Sequence, residues 1–451
     1  MFMLKYDASS LIEQIQAALE NNDIQSVIRI LETLKSADQA DIFSELNDDE
    51  KMAILPHLNP AFSADLLEEM EDDEVAELVG GLPSEHAIRI VDEMDPDDAA
   101  DFLGDIPDFQ ANAILAGMEN PEDVRPLLLH PDDSAGGLMT SEFLALRRKM
   151  TASDALQAIR EWKPDNDDIY HLFVVDGQNY LVGVVSLRQL ITSDPKDLLE
   201  TFMDPQVIAV TTGTDQEEVA RLFARYDLLA LPVVDHDRKL IGVITIDDVI
   251  DVLEEETTED IQRLGGAQPL EQAYLNTSPL RITKKRIGWL LLLFLTESLT
   301  GTVLRHFESE LASVVALSFF IPLLIGTGGN AGSQTTSTII RALAIGDIQI
   351  GDAIKSLWHE FRVGLMLGVG MSALAFVRAL TWGSSPQLAV TVSVAILTIV
   401  IWANMLGAIL PILAAKLKID PTVVSGPVMS TLVDATGLFI YFSIAKIVIG
   451  L

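Results

Sequence analysis

Beyond Arg281 the sequence is dominated by apolar segments long enough to cross a bilayer. A hydrocarbon core of ~30 Å needs about 20 mostly apolar residues per helix. Five segments meet that length, at roughly 287–304, 311–343, 363–380, 388–414 and 423–449. Backbone groups in lipid must be satisfied within the segment, so each is expected to be helical. The rest of the chain has the opposite character. Residues 1–280 hold 59 Asp+Glu against 18 Lys+Arg, a net −41, and residues 281–451 hold 8 against 12, a net +4. Together these make the formal charge of −37, in a chain that is nonetheless 49% hydrophobic with a mean hydropathy of +0.30. One mixed soluble fold does not combine those extremes, so an acidic soluble part is joined to a membrane part. The acidic part repels phosphate, which excludes nucleic acid and favours cations as partners. The absence of Cys excludes disulfides, thiolate metal sites and Cys nucleophiles. Residues 1–10 lack a basic flank followed by an apolar run, so no cleaved signal peptide is expected.

Basic residues set the orientation. Arg281, Lys284, Lys285, Arg286, Arg341, Lys355, Arg362, Lys416 and Lys418 fall on one side, and Arg305, Arg378 and Lys446 on the other. Nine against three puts the acidic part in the cytosol and, with five spans, the C-terminus outside.

The second and fifth spans are unusual. The second contains the string from Gly326 to Thr338, rich in Gly, Ser and Thr and carrying Asn330 and Gln334 on one face. Small residues serve close helix packing; the same string can also line a water-filled path with oxygen groups. The fifth carries Asp434 among small residues, with no basic residue within a turn or two. A carboxylate inside a membrane points to function, the alternative being a structural pair with Lys or Arg. Glu297 is the only other carboxylate expected well inside a span. Thr296, Ser298 and Thr300 surround it, which suits a hydrogen-bonded structural role.

An internal repeat occupies 131–254. Val174-Val175-Asp176 with Leu181-Val182-Gly183-Val184-Val185-Ser186 recurs 59 positions later as Val233-Val234-Asp235 with Leu240-Ile241-Gly242-Val243-Ile244-Thr245. Apolar strands are expected to open at 138–140 and 202–204, with helices at 152–159 and 217–223 and hairpins at the Asp turns. The pattern resembles a tandem pair of CBS domains, a regulatory module that sometimes binds adenosyl ligands. Thr245…Asp248 fits the Ser/Thr-x-x-Asp pattern that holds ribose hydroxyls, whereas Ser186…Gln189 departs from it by Gln for the acid. The resemblance therefore implies ATP at the Thr245/Asp248 half. Residues 8–130 read as short amphipathic helices broken near Pro56, Pro83, Pro96 and Pro107, a wound stack. Asp95 to Asp98 suit a helix start, or a surface that shares cations with a partner. Residues 255–280 form an acidic connecting helix, which is a solvated face or a lever between the two parts.

In this order the pieces resemble the MgtE magnesium transporter/channel family over essentially the whole chain. The signatures are Pro322 with Gly326–Gln334, and Pro427, Asp434 and Gly437. The implied fold is multidomain: an all-α superhelical N domain (1–130), an α/β tandem CBS pair (131–254), a connecting (plug) helix (255–280) and a five-helix transmembrane domain (281–451). The resemblance implies no enzyme, but a homodimer in a bacterial inner membrane that imports Mg²⁺ through a path lined by helices two and five. Asp434 would hold the ion, with Asn330, Gln334, Gly328 and Thr327 beside it. It also implies closure by cytosolic Mg²⁺. Glu217 and Asp227 would meet Glu259 and Asp260, with Glu255 nearby, and Asp248 would face acids near Asp92 and Asp95. The rival reading is a carrier coupling a divalent cation to a second ion, for which Glu297 is the spare carboxylate. A membrane enzyme lacks a Walker string or a His-Glu-x-x-His motif to support it.

Overall fold

A computed structural model describes residues 8–162, 171–270, 274 and 277–450, in two compact units, Met1–Glu254 and Glu255–Leu451. Most of the N-terminal stretch 1–10, and 271–273 and 275–276 of the connecting stretch, lie outside the described residues.

The first unit begins with ten short helices: α1 (Ala8–Glu20), α2 (Ile24–Leu31), α3 (Ser36–Ser44), α4 (Asp48–Ile54), α5 (Pro60–Leu67), α6 (Asp72–Gly80), α7 (Ser84–Val91), α8 (Pro96–Asp105), α9 (Asp108–Leu115) and α10 (Pro121–Val124). Proline sets their starts. Pro60, Pro96 and Pro121 occupy first-turn positions, and Pro83 and Pro107 stand just before α7 and α9. A missing N–H is harmless there and disruptive further in. Odd helices pack on odd ones (α3 on α5, α5 on α7, α7 on α9) and even on even (α4 on α6, α6 on α8), which makes a two-row superhelix. Phe43, Ile54, Leu66, Leu67 and Val91 fill its centre.

The CBS pair follows. Its first half contains β1 (Ala145–Arg147), α11 (Ala152–Trp162), β2 (His171–Val175), β3 (Leu181–Ser186), α12 (Leu187–Thr192) and α13 (Leu199–Phe202). The second contains β4 (Val210–Thr211), α14 (Gln216–Tyr226), β5 (Ala230–Val234), β6 (Leu240–Thr245) and the start of α15 (Ile246–Leu264). β1 pairs with β2 in parallel and β2 with β3 antiparallel; β4, β5 and β6 repeat that order. Register slips after Val174 and again after Val233, 59 residues on. The hairpin turns match too. Asp176 Oδ1 accepts from the N–H groups of Gln178 and Tyr180, and Asp235 Oδ1 from those of Asp237 and Lys239. Tyr180 bridges Lys239, so equivalent residues meet across a local two-fold axis. The strands expected at 138–140 and 202–204 reduce to single bridges. Thr140 pairs with Val243 and Asp204 with Val184, each in the other half. These segments cross between halves, and the first sheet strand of each half begins later.

In the second unit the membrane helices are α16 (Pro279–His306), α18 (Ile321–Ala344), α19 (Ala353–Thr381), α20 (Pro386–Lys416) and α21 (Gly426–Ala445), with the short α17 (Glu308–Ser313) after α16. Five spans are long and apolar enough to cross a membrane. The second span expected from 311 is interrupted at Val314 and resumes as a 3₁₀ turn before α18. Helix α20 is the centre, packed against α18, α19 and α21, whereas α16 packs on α21 and leaves Leu290, Leu291, Phe294 and Leu295 exposed. Glycine permits the closest approach. A Cβ on Gly407 would lie 2.7 Å from the Gly332 carbonyl oxygen, and one on Gly332 would lie 2.7 Å from Met429 Cε.

Candidate functional site

The face of α18 that meets α21 carries an open pocket of about 350 Å³, lined by Pro322, Ile325, Gly326, Gly329, Asn330, Ser430 and Asp434. Asn330 and Asp434, singled out from sequence, therefore share one space. Gly329 allows it to form, since a Cβ there would stand 3.1 Å from Ser430 Oγ. Gln334 sits one turn along on the same exposed strip of α18, and Thr327 is half-buried one turn before Asn330. Gly328 lies elsewhere. It is buried, and a Cβ on it would come within 2.6 Å of Ile399 and 2.8 Å of Val433. Its place is in the helix seam, not on this cavity. The small-residue string therefore does both jobs, packing on one face and opening a polar cavity on the next. Ser430, Gly326 and Gly329 are lining residues that spacing alone did not single out.

Lys446, the basic residue that follows Asp434 in sequence, is engaged elsewhere: its Nζ donates to Glu310 Oε1 at 3.2 Å. Glu297 of α16 lies within electrostatic reach of Asp434. Its expected hydroxyl partners turn away: Thr296 and Ser298 donate to carbonyls of their own helix, and Thr300 Oγ1 is buried without a partner. One further carboxylate lies inside a membrane helix, contrary to expectation. Helix α19 starts ten residues before the apolar run at 363, so it includes Glu360, whose Oε2 accepts from Thr335 Oγ1 of α18 at 3.3 Å.

A second polar centre lies in the first unit. Asp97 and Asp98, in the first turn of α8, stand beside Asp248 in the first turn of α15. Helix N-termini favour anions, but here burial and mutual repulsion win. Burial pushes Asp97 well above the carboxylate range, and Asp248 adds to it. Burial raises Asp98 likewise, followed by Asp97 and Glu68. Burial lifts Asp248 to about 6 and Glu68 to about 7. Asp97 Oδ1 is buried with no hydrogen-bond partner. The N-domain acids facing Asp248 are thus a few residues beyond those expected. Asp92 accepts from the Glu119 N–H at 2.8 Å, and the Asp95 N–H donates to Glu68 Oε1 at 2.9 Å. Among the described residues no three acidic or His side chains converge as a preformed metal cage. The cluster is a loose gathering of carboxylates and not a closed cage. Of the other acids expected to bind metal, Glu217 pairs with Arg221, Asp227 closes α14 in a left-handed conformation (φ 51°), and Glu259 pairs with Arg263, all within their own units. Glu255 and Asp260 lie on α15.

The two CBS halves also differ. Thr245 Oγ1 donates to Asp248 Oδ2 at 2.6 Å. Ser186 Oγ donates to Gln189 Oε1 at 2.8 Å, beside an open cleft of about 710 Å³ whose lining includes Arg188, Asp204 and Leu229.

Comparison with known proteins agrees with this layout. A family of divalent cation transporters, MgtE, matches residues 321–444; the MgtE intracellular N domain matches 34–133, and CBS domains match 135–195 and 196–255. The magnesium transporter MgtE of Thermus thermophilus is 45% identical over 327 residues, 72% of each chain. That of Bacillus subtilis is 34% identical over 333 residues, 73% of each chain. The crystal structure of the cytosolic domain of the Mg²⁺ channel MgtE in complex with ATP covers 53% of this chain and 99% of its own, at 36% identity and a TM-score of 0.51. The soluble part of a magnesium transporter covers 55% and 99%, at 30% identity and a TM-score of 0.50. With relatives this similar across most of its length, the protein belongs to the MgtE family of magnesium transporters.

Proposed function

We propose that the protein is a Mg²⁺-selective channel that imports the ion past Asp434 and closes when cytosolic Mg²⁺ binds the acidic domains. The observation that carries this is the cavity shared by Asp434, Asn330 and Ser430. Mg²⁺ demands octahedral oxygen and gives up water reluctantly. Six waters at ~30 Å³ each occupy about 180 Å³, so a space of about 350 Å³ accepts the ion with its shell. One carboxylate then supplies attraction, and Asn330 and Ser430 bond the shell. Binding of that kind is favourable yet weak enough for release. In a homodimer a second copy would bring a second Asp434 to the path. The excess of basic residues on one side supports cytosolic acidic domains and an outer C-terminus.

Closure follows from charge. Asp97, Asp98 and Asp248 are crowded together with an orphaned carboxylate oxygen among them. A divalent cation relieves that repulsion only where the acids are close, so it favours the compact arrangement by its differential affinity. The family resemblance adds Glu217 and Asp227 with Glu259 and Asp260, and Glu255 nearby, as a further shared-cation surface. ATP, present in the related cytosolic domain, is better placed in the Ser186/Arg188 cleft than at Thr245/Asp248. There the surrounding acids would repel its phosphates.

Mg²⁺ flux into liposomes, with internal Mg²⁺ varied and Asp434→Ala beside the wild type, tests both parts. Flux that falls with internal Mg²⁺ and a crippled variant are expected; a variant equal to wild type sinks the ion site. A coupled carrier is the second reading, favoured by Glu297 near Asp434. Unitary currents above ~10⁵ ions per second would exclude it, since carrier cycles need μs–ms motions.

A further inference from the structure

The two halves of the CBS pair differ in chemistry at equivalent positions. Ser186 and Gln189 stand 59 residues before Thr245 and Asp248, and Arg188 stands 59 before Asp247. In the second half Asp248 Oδ2 takes both contacts from Thr245. It accepts from the Thr245 N–H at 3.3 Å and from Oγ1 at 2.6 Å, so that turn makes no use of the other carboxylate oxygen. In the first half Gln189 Oε1 takes the same place, accepting from the Ser186 N–H at 2.9 Å and from Ser186 Oγ at 2.8 Å. The group left over is then an amide nitrogen, and Nε2 donates to the Phe202 carbonyl at 3.3 Å. These partners fix which way the amide points, because a backbone N–H needs the oxygen and a carbonyl needs the NH₂. The neighbouring cleft of about 710 Å³ is lined by apolar Val184, Leu187, Ile191 and Leu229, with Arg188 as its cation. Asp204 also lines it. Its Oδ1 accepts from the Gln206 N–H at 2.8 Å, and its backbone pairs with Val184.

We propose that Gln189 is the specificity-determining residue of this cleft and makes it blind to a ribose diol, so that it takes ribo- and deoxyribonucleoside triphosphates alike, by base and phosphates. This selectivity rests on the nucleotide site proposed above. A vicinal diol presents two O–H donors, and reading it takes acceptors with free lone pairs, best of all charged ones. Gln189 offers neither. Ser186 occupies both lone pairs of Oε1, and the amide is neutral. Its spare N–H provides one neutral bond, which exchanges for water at little net gain. Arg188 does not depend on the sugar, since a guanidinium grips phosphate oxygens bidentately. The apolar wall covers a base whatever sugar carries it. In the second half the charges are reversed. Asp248 has the carboxylate that reads a diol, but Asp247 stands where Arg188 would hold phosphate, and acids repel phosphate. The two halves thus divide what a full ribonucleotide site combines: one has the cation without the diol acceptor, the other the diol acceptor without the cation.

Equilibrium dialysis of the full-length protein in detergent, at one fixed Mg²⁺ concentration, tests this with ATP, 2′-deoxy-ATP and 2′,3′-dideoxy-ATP. The wild type is expected to bind all three within about threefold, the span of one neutral hydrogen bond. Gln189→Asp, which copies the Thr245/Asp248 arrangement, should favour ATP over the dideoxy nucleotide by about tenfold or more, the worth of a charge-assisted bond. The ratio is the readout, because the added negative charge weakens all three alike. A wild type that already prefers ATP by about tenfold reads the diol through another group, Asp204 first, and overturns the assignment. A ratio that Gln189→Asp leaves unchanged overturns it too. Failure of the nucleotide site itself has a different signature: no binding of any of the three, or binding that Arg188→Ala leaves unchanged, removes the cleft as the site and this selectivity with it.

Discussion

Asp97 and Asp248 meet as two half-buried carboxylates at the starts of two helices, and Asp248 is the strongest charge acting on Asp97. The arrangement leaves the folded state strained whenever both are ionised. Asp97→Asn should therefore stabilise the cation-free protein at pH 7, because it removes a carboxylate that burial and the charge of Asp248 disfavour. It should also weaken the stabilisation that Mg²⁺ gives. Thermal unfolding in EDTA and in Mg²⁺ reads both, and a variant less stable in EDTA than the wild type would contradict the account.

The same crowding sets a pH dependence. Glu68 is raised from 4.5 to about 7 and Asp248 from 3.8 to about 6, in both cases chiefly by burial. The folded protein therefore holds protons that the unfolded chain has released, and stability falls as pH rises through that window. The contribution is most favourable below about pH 4 and fully lost above about pH 7. Hydrogen exchange of the Pro96–Asp105 helix in EDTA should show faster opening at pH 7.5 than at pH 5.5. Mg²⁺ at pH 7.5 should slow it again. Exchange that slows with rising pH in EDTA would oppose the prediction.

The glycines of α18 and of the helix α20 packed on it divide by face, and substitutions should divide with them. Gly407→Val drives side-chain atoms into the Gly332 carbonyl and Thr335, and Gly328→Val into Ile399 and Val433. Overpacking of this kind costs roughly 1–3 kcal/mol or more, so folded, detergent-stable protein should be reduced. A Cβ on Gly326, which lines the cavity, meets nothing within 4 Å. Gly326→Ala should fold normally, and any change should appear in flux alone. Size-exclusion profiles beside flux distinguish the two classes.

These contrasts show what the sequence could carry. The repeat was legible because the 59-residue offset is kept even in the register slips after Val174 and Val233. Asp434 was legible because a carboxylate in an apolar run has few explanations. Gly328 was not, since periodicity places residues on faces of a helix without saying which neighbour each face meets. Glu360 was hidden because α19 begins before its apolar run does. The choice of Asp97 and Asp98 over Asp92 and Asp95 depended on how α8 packs beside α15, which no local pattern encodes. The strands expected at 138–140 and 202–204 failed for a related reason. Each such segment pairs across the two-fold axis with the other half.

Asn330 tests whether the ion keeps its water. If the cation reached Asp434 bare, Asn330 would act as a direct ligand and its loss would be nearly as severe as that of Asp434. If a hydrated ion occupies the cavity, Asn330 bonds the shell and its loss resembles that of an outer-shell partner, about 10–100-fold in apparent affinity. With several waters retained, the smaller effect is expected: Asn330→Ala should raise the half-saturating Mg²⁺ with little change in maximal flux, while Asp434→Ala abolishes selective flux. Asn330→Asp should tighten binding and slow release, since a second charge deepens the site that the ion must leave. Concentration dependence of liposome flux for the three variants separates the cases, and an Asn330→Ala variant as inactive as Asp434→Ala would show that the amide touches the ion itself.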